Sequence, residues 1–438
     1  MALGALTMQN SASWQKQAWA TLLLVLAGGL NLASWLPRSL LPFPIWYGML
    51  AFAGLVLLEV LWGGMVNRRF WHFPRTPLDF ALLITGLQIG VSLYATYDLA
   101  QSLPKVYGLS SSLLVFLTLQ RWVQLGRWQW WLGLVGYITA GVVVAVLGGS
   151  AAKVLPTALA MHLPALFELN ANELGGVLLW FAPLAAVCSL IALLNIQKRW
   201  WLILPAAGAG IATVLIIAVL GFTRSRSALV GLGLAGMIGF VLLLIRQKGW
   251  LRLLMLFVLL AGLAGAYLVV LNPQWLPNRI NIFAKQGSDA AISGREELWS
   301  RGLYALEDFP LTGMGMNTFR KLVHVIYPLF SYAPNSDISH AHNQIIQIGV
   351  DLGIPALIAF LAMLILLHGL LFKIWMVPDL TVQLLALGFL GAIWASLGYG
   401  VADAVAYGAK PGVFWWGLLA LACQVERASA LVKPPLYR

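Results

Sequence analysis

Charge is what this 438-residue chain has least of. Charged side chains make up 10% of it and apolar ones 61%, where a soluble domain carries roughly a quarter and about half. An ordinary water-soluble globule is thereby excluded. Acidic groups are scarcer still, 15 Asp and Glu against 27 Lys and Arg. The paired carboxylates of glycosidase-type hydrolysis are not evident on the side read below as external. Only two cysteines occur, Cys188 and Cys423, both within apolar runs. They read as small helix-packing residues rather than a disulfide, and they leave no thiolate outside the membrane for a metal. The glycine-rich turn "LTGMGMNTF" lacks the Gly-Lys-Ser/Thr that phosphate-cradling loops need. The net charge of +12 is scattered between apolar runs rather than gathered on one soluble face. That excludes nucleic acid as a partner and leaves an anionic membrane face or an anionic substrate.

What is present is apolar length. The mean hydropathy is +0.85, and windows of roughly 17–25 apolar residues can each span a bilayer. Twelve helices are expected, near 17–36, 45–62, 79–97, 104–120, 130–148, 175–194, 200–221, 227–245, 252–271, 344–371, 381–400 and 410–424. Twenty Trp and 43 Gly fit interfacial belts and close helix packing. Only Lys16 precedes the first run, which is long enough to span rather than serve as a cleaved signal. An even number of spans leaves both termini on one side. Fifteen basic residues, Arg68, Arg69, Arg246 and Lys248 among them, fall in the loops of that side, and six fall in the short loops opposite. The positive-inside rule then makes both termini cytoplasmic. The expected fold is an all-α polytopic membrane protein of about twelve spans. It has a membrane domain over 1–271, an external loop over 272–340 and a second membrane portion over 341–438.

That loop is the one polar stretch large enough for substructure. In "SGREELWSRGLYALEDFP", Ser293 and Glu296 have capping-box spacing, and Glu297 and Arg301 pair at i, i+4. Leu298, Trp299, Leu303 and Leu306 form an apolar stripe. A second helix is expected over 317–330. The mostly apolar segment 149–174 reads as a short amphipathic piece in the interface.

Three groups carry chemistry, each with a plainer structural reading beside it. In "TRSRSALVGL", Arg224 and Arg226 flank a helix start on the external side. Both can snorkel to the interface, but Arg226 is followed by Ser227 and Ala228, which leave room for a ligand. A guanidinium there can clamp a phosphate or carboxylate, helped by free helix N–H groups. Arg295 on the loop helix is either a solvated charge beside two glutamates or a second cation for a ligand. In "SHAHNQ", a zinc site needs further ligands, and the nearby acids are Asp337 and Asp351, the latter too far down its helix to share an ion. No metal is expected. Ser339 or Asn343 reads as a helix cap. His342 reads as a general base, with His340 a neighbour that tunes or replaces it. Asn172 in "NANELGG" reads as a cap or substrate contact, and Asp403 in "VADAV" as a residue lining the same cavity.

Taken in order, "TRSRSALVGL", "SGREELW…DFPLTGMGMNTF" and "HAHNQIIQIGVDLGIPALIAF" resemble the O-antigen ligase and polymerase superfamily of bacterial membrane proteins. "NANELGG" and "VADAVAYGAKPGVFWW" resemble weaker blocks of it. The resemblance implies a glycosyltransferase of the inner membrane. It would move a glycan from a polyprenyl (undecaprenyl) diphosphate carrier to an acceptor hydroxyl on the periplasmic face, inverting the anomeric centre without metal or other cofactor. By motif it implies Arg226, Arg295 and His342 as catalytic, with Arg224, His340, Asn343 and Asn172 binding substrate. Ligases and polymerases share these blocks, so the acceptor is either lipid A-core or another glycan. Many relatives carry a histidine four residues before the aspartate of the last block, where this chain has Tyr399, which weakens the role implied for the Asp403 region. The rival is a bicarbonate or other anion transporter. It should show midplane charges and interrupted helices in matched halves, and no clear internal repeat is evident.

Overall fold

Hydrocarbon offers no partner for a free N–H or C=O, so apolar runs of this length close their hydrogen bonds within themselves, as helices. The computed structural model describes residues 2–33, 35, 54, 76–156, 160, 169–197, 199–246, 248–271, 288–333, 336–405 and 407–428. Every regular element among them is helical. The first four long helices are α1 (Ala2–Ala33), α2 (Asp79–Ala95), α3 (Leu99–Val123) and α4 (Arg127–Val143), the last continuing through a π turn to Ala151. The expected span 175–194 is broken at 179–181 into α5 (Ala171–Leu178) and α6 (Ala182–Asn195). Then come α7 (Ile203–Phe222), α8 (Arg226–Arg246) and α9 (Gly249–Leu271). The polar loop contributes α10 (Ser288–Asp308) and α11 (Phe319–Ile326), and the chain closes with α12 (Gln344–Trp375), α13 (Leu380–Gly400) and α14 (Gly412–Ala422).

Among the described residues, seven helices are long and apolar enough to cross a membrane. Eleven of the twelve expected segments carry helix. The twelfth, 45–62, lies outside the described residues except for Gly54, as do 272–287 and, within the 149–174 segment, residues 157–159 and 161–168.

The core is aromatic and aliphatic, with Phe116, Trp130, Phe181, Phe389 and Trp416 fully buried. Its helix pairs are mostly remote in sequence: α8 on α13, α3 on α14, α2 on α12. Inside it, Gln120 Nε2 and Trp130 Nε1 donate to the carbonyls of Ala420 (2.6 Å) and Leu421 (3.1 Å), so these two buried donors are satisfied. Ile211, Val214 and Phe257 stay exposed on α7 and α9, as lipid-facing residues do.

Helix α12 is not continuous, as the apolar run suggested. Gly353 has φ 79° and ψ 170°, with Pro355 two residues on. The turn "LTGMGM" fills the break: Met314 N–H donates to Val350 O (2.7 Å) and Ile354 N–H to Pro310 O (2.7 Å). Backbone groups freed by the interruption are thus paired by the loop. Ser92 on α2 accepts from Met316 N–H (2.8 Å) and donates to Asp351 O (3.1 Å). Asn317 N–H donates to Asp351 Oδ1 (3.1 Å), and its amide donates to Gln101 O (3.0 Å). The loop is therefore bolted to α2, α3 and α12 at one end of the bundle.

Two readings of the loop are corrected. Ser293 does not cap a helix, because α10 is already helical at Ser288. Nor does Leu303 face inward: it is 50% exposed, and the packed face runs through Leu298, Gly302, Ala305 and Leu306. The Glu297–Arg301 pair forms as expected (3.6 Å), and the Glu297 carboxylate also accepts from the Phe330 and Ser331 amides.

Candidate active site

The polypeptide leaves α13 at Gly400 and turns through 401–405, burying Asp403 to 2% exposure in the loop-bearing end of the bundle. His342 meets it from the start of α12, with Nδ1 at 3.0 Å from Asp403 Oδ1. His342 is held there by its backbone, which has the left-handed φ of 49° rare for a residue with a Cβ. Its carbonyl accepts from Trp299 Nε1 on α10 (3.1 Å), and its N–H donates to His340 Nδ1 (3.2 Å). Asn343 is the cap of α12, its Oδ1 accepting from the amides of Ile345 and Ile346 (3.0 and 3.1 Å) and its Nδ2 donating to Val401 O (3.0 Å). Its side chain thus caps α12 and ties the helix start to the turn after α13.

Asp403 is an acceptor, so His342 presents Nδ1–H to it, and in the neutral imidazole this leaves the Nε2 lone pair free. His340 accepts on Nδ1, so its hydrogen is on Nε2, which faces Asp403 Oδ1 at 3.9 Å. Burial, and then the charge of His342, pull His340 down to about 3. It is neutral at physiological pH and has no lone pair to offer as a base. Burial pushes the Asp403 carboxyl up, but the hydrogen bond from His342, the positive charge either imidazole carries when protonated and the Ala404 amide (2.9 Å) outweigh it. The net is a carboxyl below its ordinary value, ionised beside His342.

Arg295, from the first half of α10, reaches the same aspartate. One guanidinium nitrogen lies 4.0 Å from Asp403 Oδ2, an ionic contact too long for a hydrogen bond. Asp403 Oδ2 is buried without a hydrogen-bond partner. The Arg295 side chain is 28% exposed, and among the described residues its guanidinium donates no hydrogen bond.

Arg224 and Arg226 form a separate station. Arg224 (φ 53°) lies in the turn between α7 and α8, Arg226 opens α8, and both are exposed. Among the described residues no contact joins either one to Arg295, His342 or Asp403. They are neighbours through α5. A Cβ on Gly175 would meet Ser225 at 2.9 Å and Ala228 at 3.1 Å, and one on Gly176 would meet the Tyr399 ring at 2.6 Å. The helix start "NANELGG" therefore wedges between the arginine turn and the end of α13. Asn170 is its cap, accepting from Glu173 N–H (2.9 Å). Asn172, expected as cap or contact, has an exposed side chain, and its carbonyl accepts from Tyr399 (3.1 Å).

His340, His342 and Asp403 offer donor atoms within 4.8 Å of one another, a set that can hold a metal ion. The expectation of no metal rested on Asp337 and Asp351 being the acids at hand, and that ground does not hold in the fold. Asp403 is the residue that sequence reasoning underrated. Its signal was an acid at the end of an apolar helix in a chain poor in acids.

The fold and this site define a class: an all-helical polytopic membrane protein whose polar loop closes over a His–Asp–Arg centre. Residues 211–361 match the family model described as O-antigen ligase. Residues 211–361, about a third of the chain, are thus similar to the O-antigen ligase family, and that family implies a glycosyltransferase-like enzyme. The matched stretch contains Arg224, Arg226, Arg295, His340, His342 and Asn343 and stops short of Asp403. No individually curated protein matches the chain.

Proposed function

We propose that the protein transfers a glycan from a polyprenyl diphosphate to an acceptor hydroxyl on the periplasmic face of the bacterial inner membrane. The observation that carries this reading is the 3.0 Å contact between His342 Nδ1 and the buried Asp403, with Arg295 beside it. His342 Nε2 takes the proton of the acceptor hydroxyl as its oxygen attacks C1. The C1–O bond to the diphosphate breaks, and the electron pair leaves with the carrier. Asp403 fixes the His342 tautomer and stabilises the imidazolium that forms, the role of the acid in a Ser-His-Asp triad. Arg295, together with Arg226 across α5, would balance charge on the leaving diphosphate. Direct attack inverts the anomeric centre. Glycan ligation and glycan polymerisation share this chemistry and differ in the acceptor supplied, lipid A-core or a carrier-linked glycan.

The test uses purified full-length protein with a lipid-linked glycan and each acceptor. His342→Ala should abolish transfer. Asp403→Asn should lower kcat by about 10²–10⁴-fold with little change in KM. Undiminished transfer by His342→Ala would remove the base from the mechanism. The donor cluster His340, His342 and Asp403 favours a second reading in which a divalent ion orients the acceptor. Transfer that survives exhaustive EDTA treatment excludes it, and activity restored only by added metal supports it.

A further inference from the structure

The break at Gly353 also decides how the loop meets the bilayer. Beyond it, residues 354–375 of α12 rise about 33 Å and α13 rises about 31 Å, each close to the thickness of the hydrocarbon. The two pack together and are joined at one end by 376–379. At the other end a Cβ on Gly400 would lie 2.9 Å from the Gln344 Cβ, so the start of α12 is level with the end of α13. Residues 344–352 therefore add no height. They turn aside at Gly353 and lie across the end of the bundle.

Helix α10 runs antiparallel beside them. A Cβ on Gly302 would meet Ile346 at 2.5 Å, and one on Gly349 would meet Leu306 at 2.6 Å. Just past α10, Pro310 O accepts from Ile354 N–H (2.7 Å). The chain is thus delivered to the flank of the bundle where α12 enters the hydrocarbon. What it places there is Phe309-Pro310-Leu311, three exposed apolar residues in a row, with Leu311 69% exposed.

The surroundings of this tip identify its partner. Ile354, Ile358, Leu361 and Ile365 form one exposed stripe down α12, a helix long and apolar enough to span the membrane. Such a stripe faces lipid. Leu311 continues it upward, since a Cβ on Gly353 would lie 2.5 Å from Leu311 O. On the other side of the turn, a Cβ on Gly315 would meet the Thr96 Cα at 2.7 Å. Tyr94 and Tyr97, which flank Thr96 at the end of α2, are exposed, as tyrosines at a membrane–water boundary are. The tip therefore sits between a lipid-facing stripe and interfacial tyrosines, and whatever covers the stripe covers it too.

We propose that Phe309, Pro310 and Leu311 insert into the lipid leaflet at this end of the bundle, so that the polar loop is seated on acyl chains as well as on α2, α3 and α12. The seat rests on the membrane fold alone. It stands whether or not the protein transfers glycans, and whichever side the loop faces.

Nitroxide labels on the full-length protein in phosphatidylcholine liposomes test it, in a background of Cys188→Ala and Cys423→Ala. Leu311→Cys is the probe, Ile358→Cys the lipid reference and Lys321→Cys, at an exposed position of α11, the water reference. Saturation electron paramagnetic resonance compares collisions with oxygen, which concentrates in hydrocarbon, and with a nickel chelate, which stays in water. The Leu311 label should meet oxygen severalfold more than the chelate, as at Ile358 and opposite to Lys321. A ratio like that of Lys321 overturns the proposal. Few collisions with either reagent also overturn it, because protein, such as a second copy of the chain, would then cover the tip. If the Leu311 label prevents folding, Phe309→Cys serves as the probe with the same outcomes.

Discussion

His340 and His342 are two residues apart, and their surroundings make them chemically different. His342 turns Nδ1 to an ionised carboxylate and keeps Nε2 free, whereas His340 spends Nδ1 on the His342 amide and is buried. The sequence pattern "HAH" ranked His342 first as base but held His340 as a substitute. The hydrogen bonds favour His342 over its neighbour, and the one that orients His342 comes from Asp403, 61 residues away. No spacing rule connects residues that far apart, which is why the aspartate stayed a minor candidate. The burial of His340 predicts a pH dependence. Its ordinary value of 6.5 falls to about 3 in the fold, so below about 6.5 the unfolded chain binds a proton that the folded chain refuses. Stability is then lost as pH falls from about 6.5 towards 3. Asp403, depressed below its ordinary 3.8, adds to the loss beneath that value. Thermal unfolding followed from pH 7.5 to 4 should show this decline, and His340→Gln, which cannot titrate, should flatten it. An equal slope in the variant would mean that His340 is not the group responsible.

At the scale of elements, the loop is structural support for the site as much as a cover. Its turn closes the break in α12, and its helix α10 brings Trp299 to the His342 carbonyl and Arg295 to Asp403. The helices of the loop were legible from periodicity, but their limits were not. "SGRE" has a capping pattern, yet α10 runs through it from Ser288, and Gly294 within it packs against the Tyr332 ring, where a Cβ would sit 2.8 Å from the hydroxyl. The break at Gly353 was hidden in a run that looks continuously apolar, with Gly-x-Pro as its one trace. Gly353→Ala should expose the dependence. Its φ of 79° with ψ 170° belongs to a region that is essentially glycine-only, and a Cβ would lie 2.5 Å from Leu311 O. The cost should be about 1–3 kcal/mol. It should appear as a lower Tm, faster proteolysis within 309–316 and reduced transfer together. A variant with wild-type Tm and proteolysis would show that the turn does not hold the break.

For the whole molecule, hydropathy placed the spans because burial of apolar length in lipid is a local property of each segment. It could not tell that α8 lies on α13 or α3 on α14, since those pairings depend on small residues meeting across long sequence separations. What the pairings accomplish is to collect the starts of α3, α5, α8 and α12 and the end of α13 at one end of the bundle, where Arg226, His342 and Asp403 lie. The basic-residue count leads one to expect that end outside, and the chemistry proposed above requires it there. The orientation can be read directly. In a background with Cys188→Ala and Cys423→Ala, Lys321→Cys marks the loop end, where Lys321 is 59% exposed. Lys248→Cys marks the opposite end, between α8 and α9, where Lys248 is also exposed. An impermeant maleimide added to intact spheroplasts should label Lys321→Cys and spare Lys248→Cys, with both labelled after lysis. The reverse pattern would place the His342–Asp403 centre in the cytoplasm. It would overturn the orientation and, with it, transfer from a carrier already flipped to the outer face.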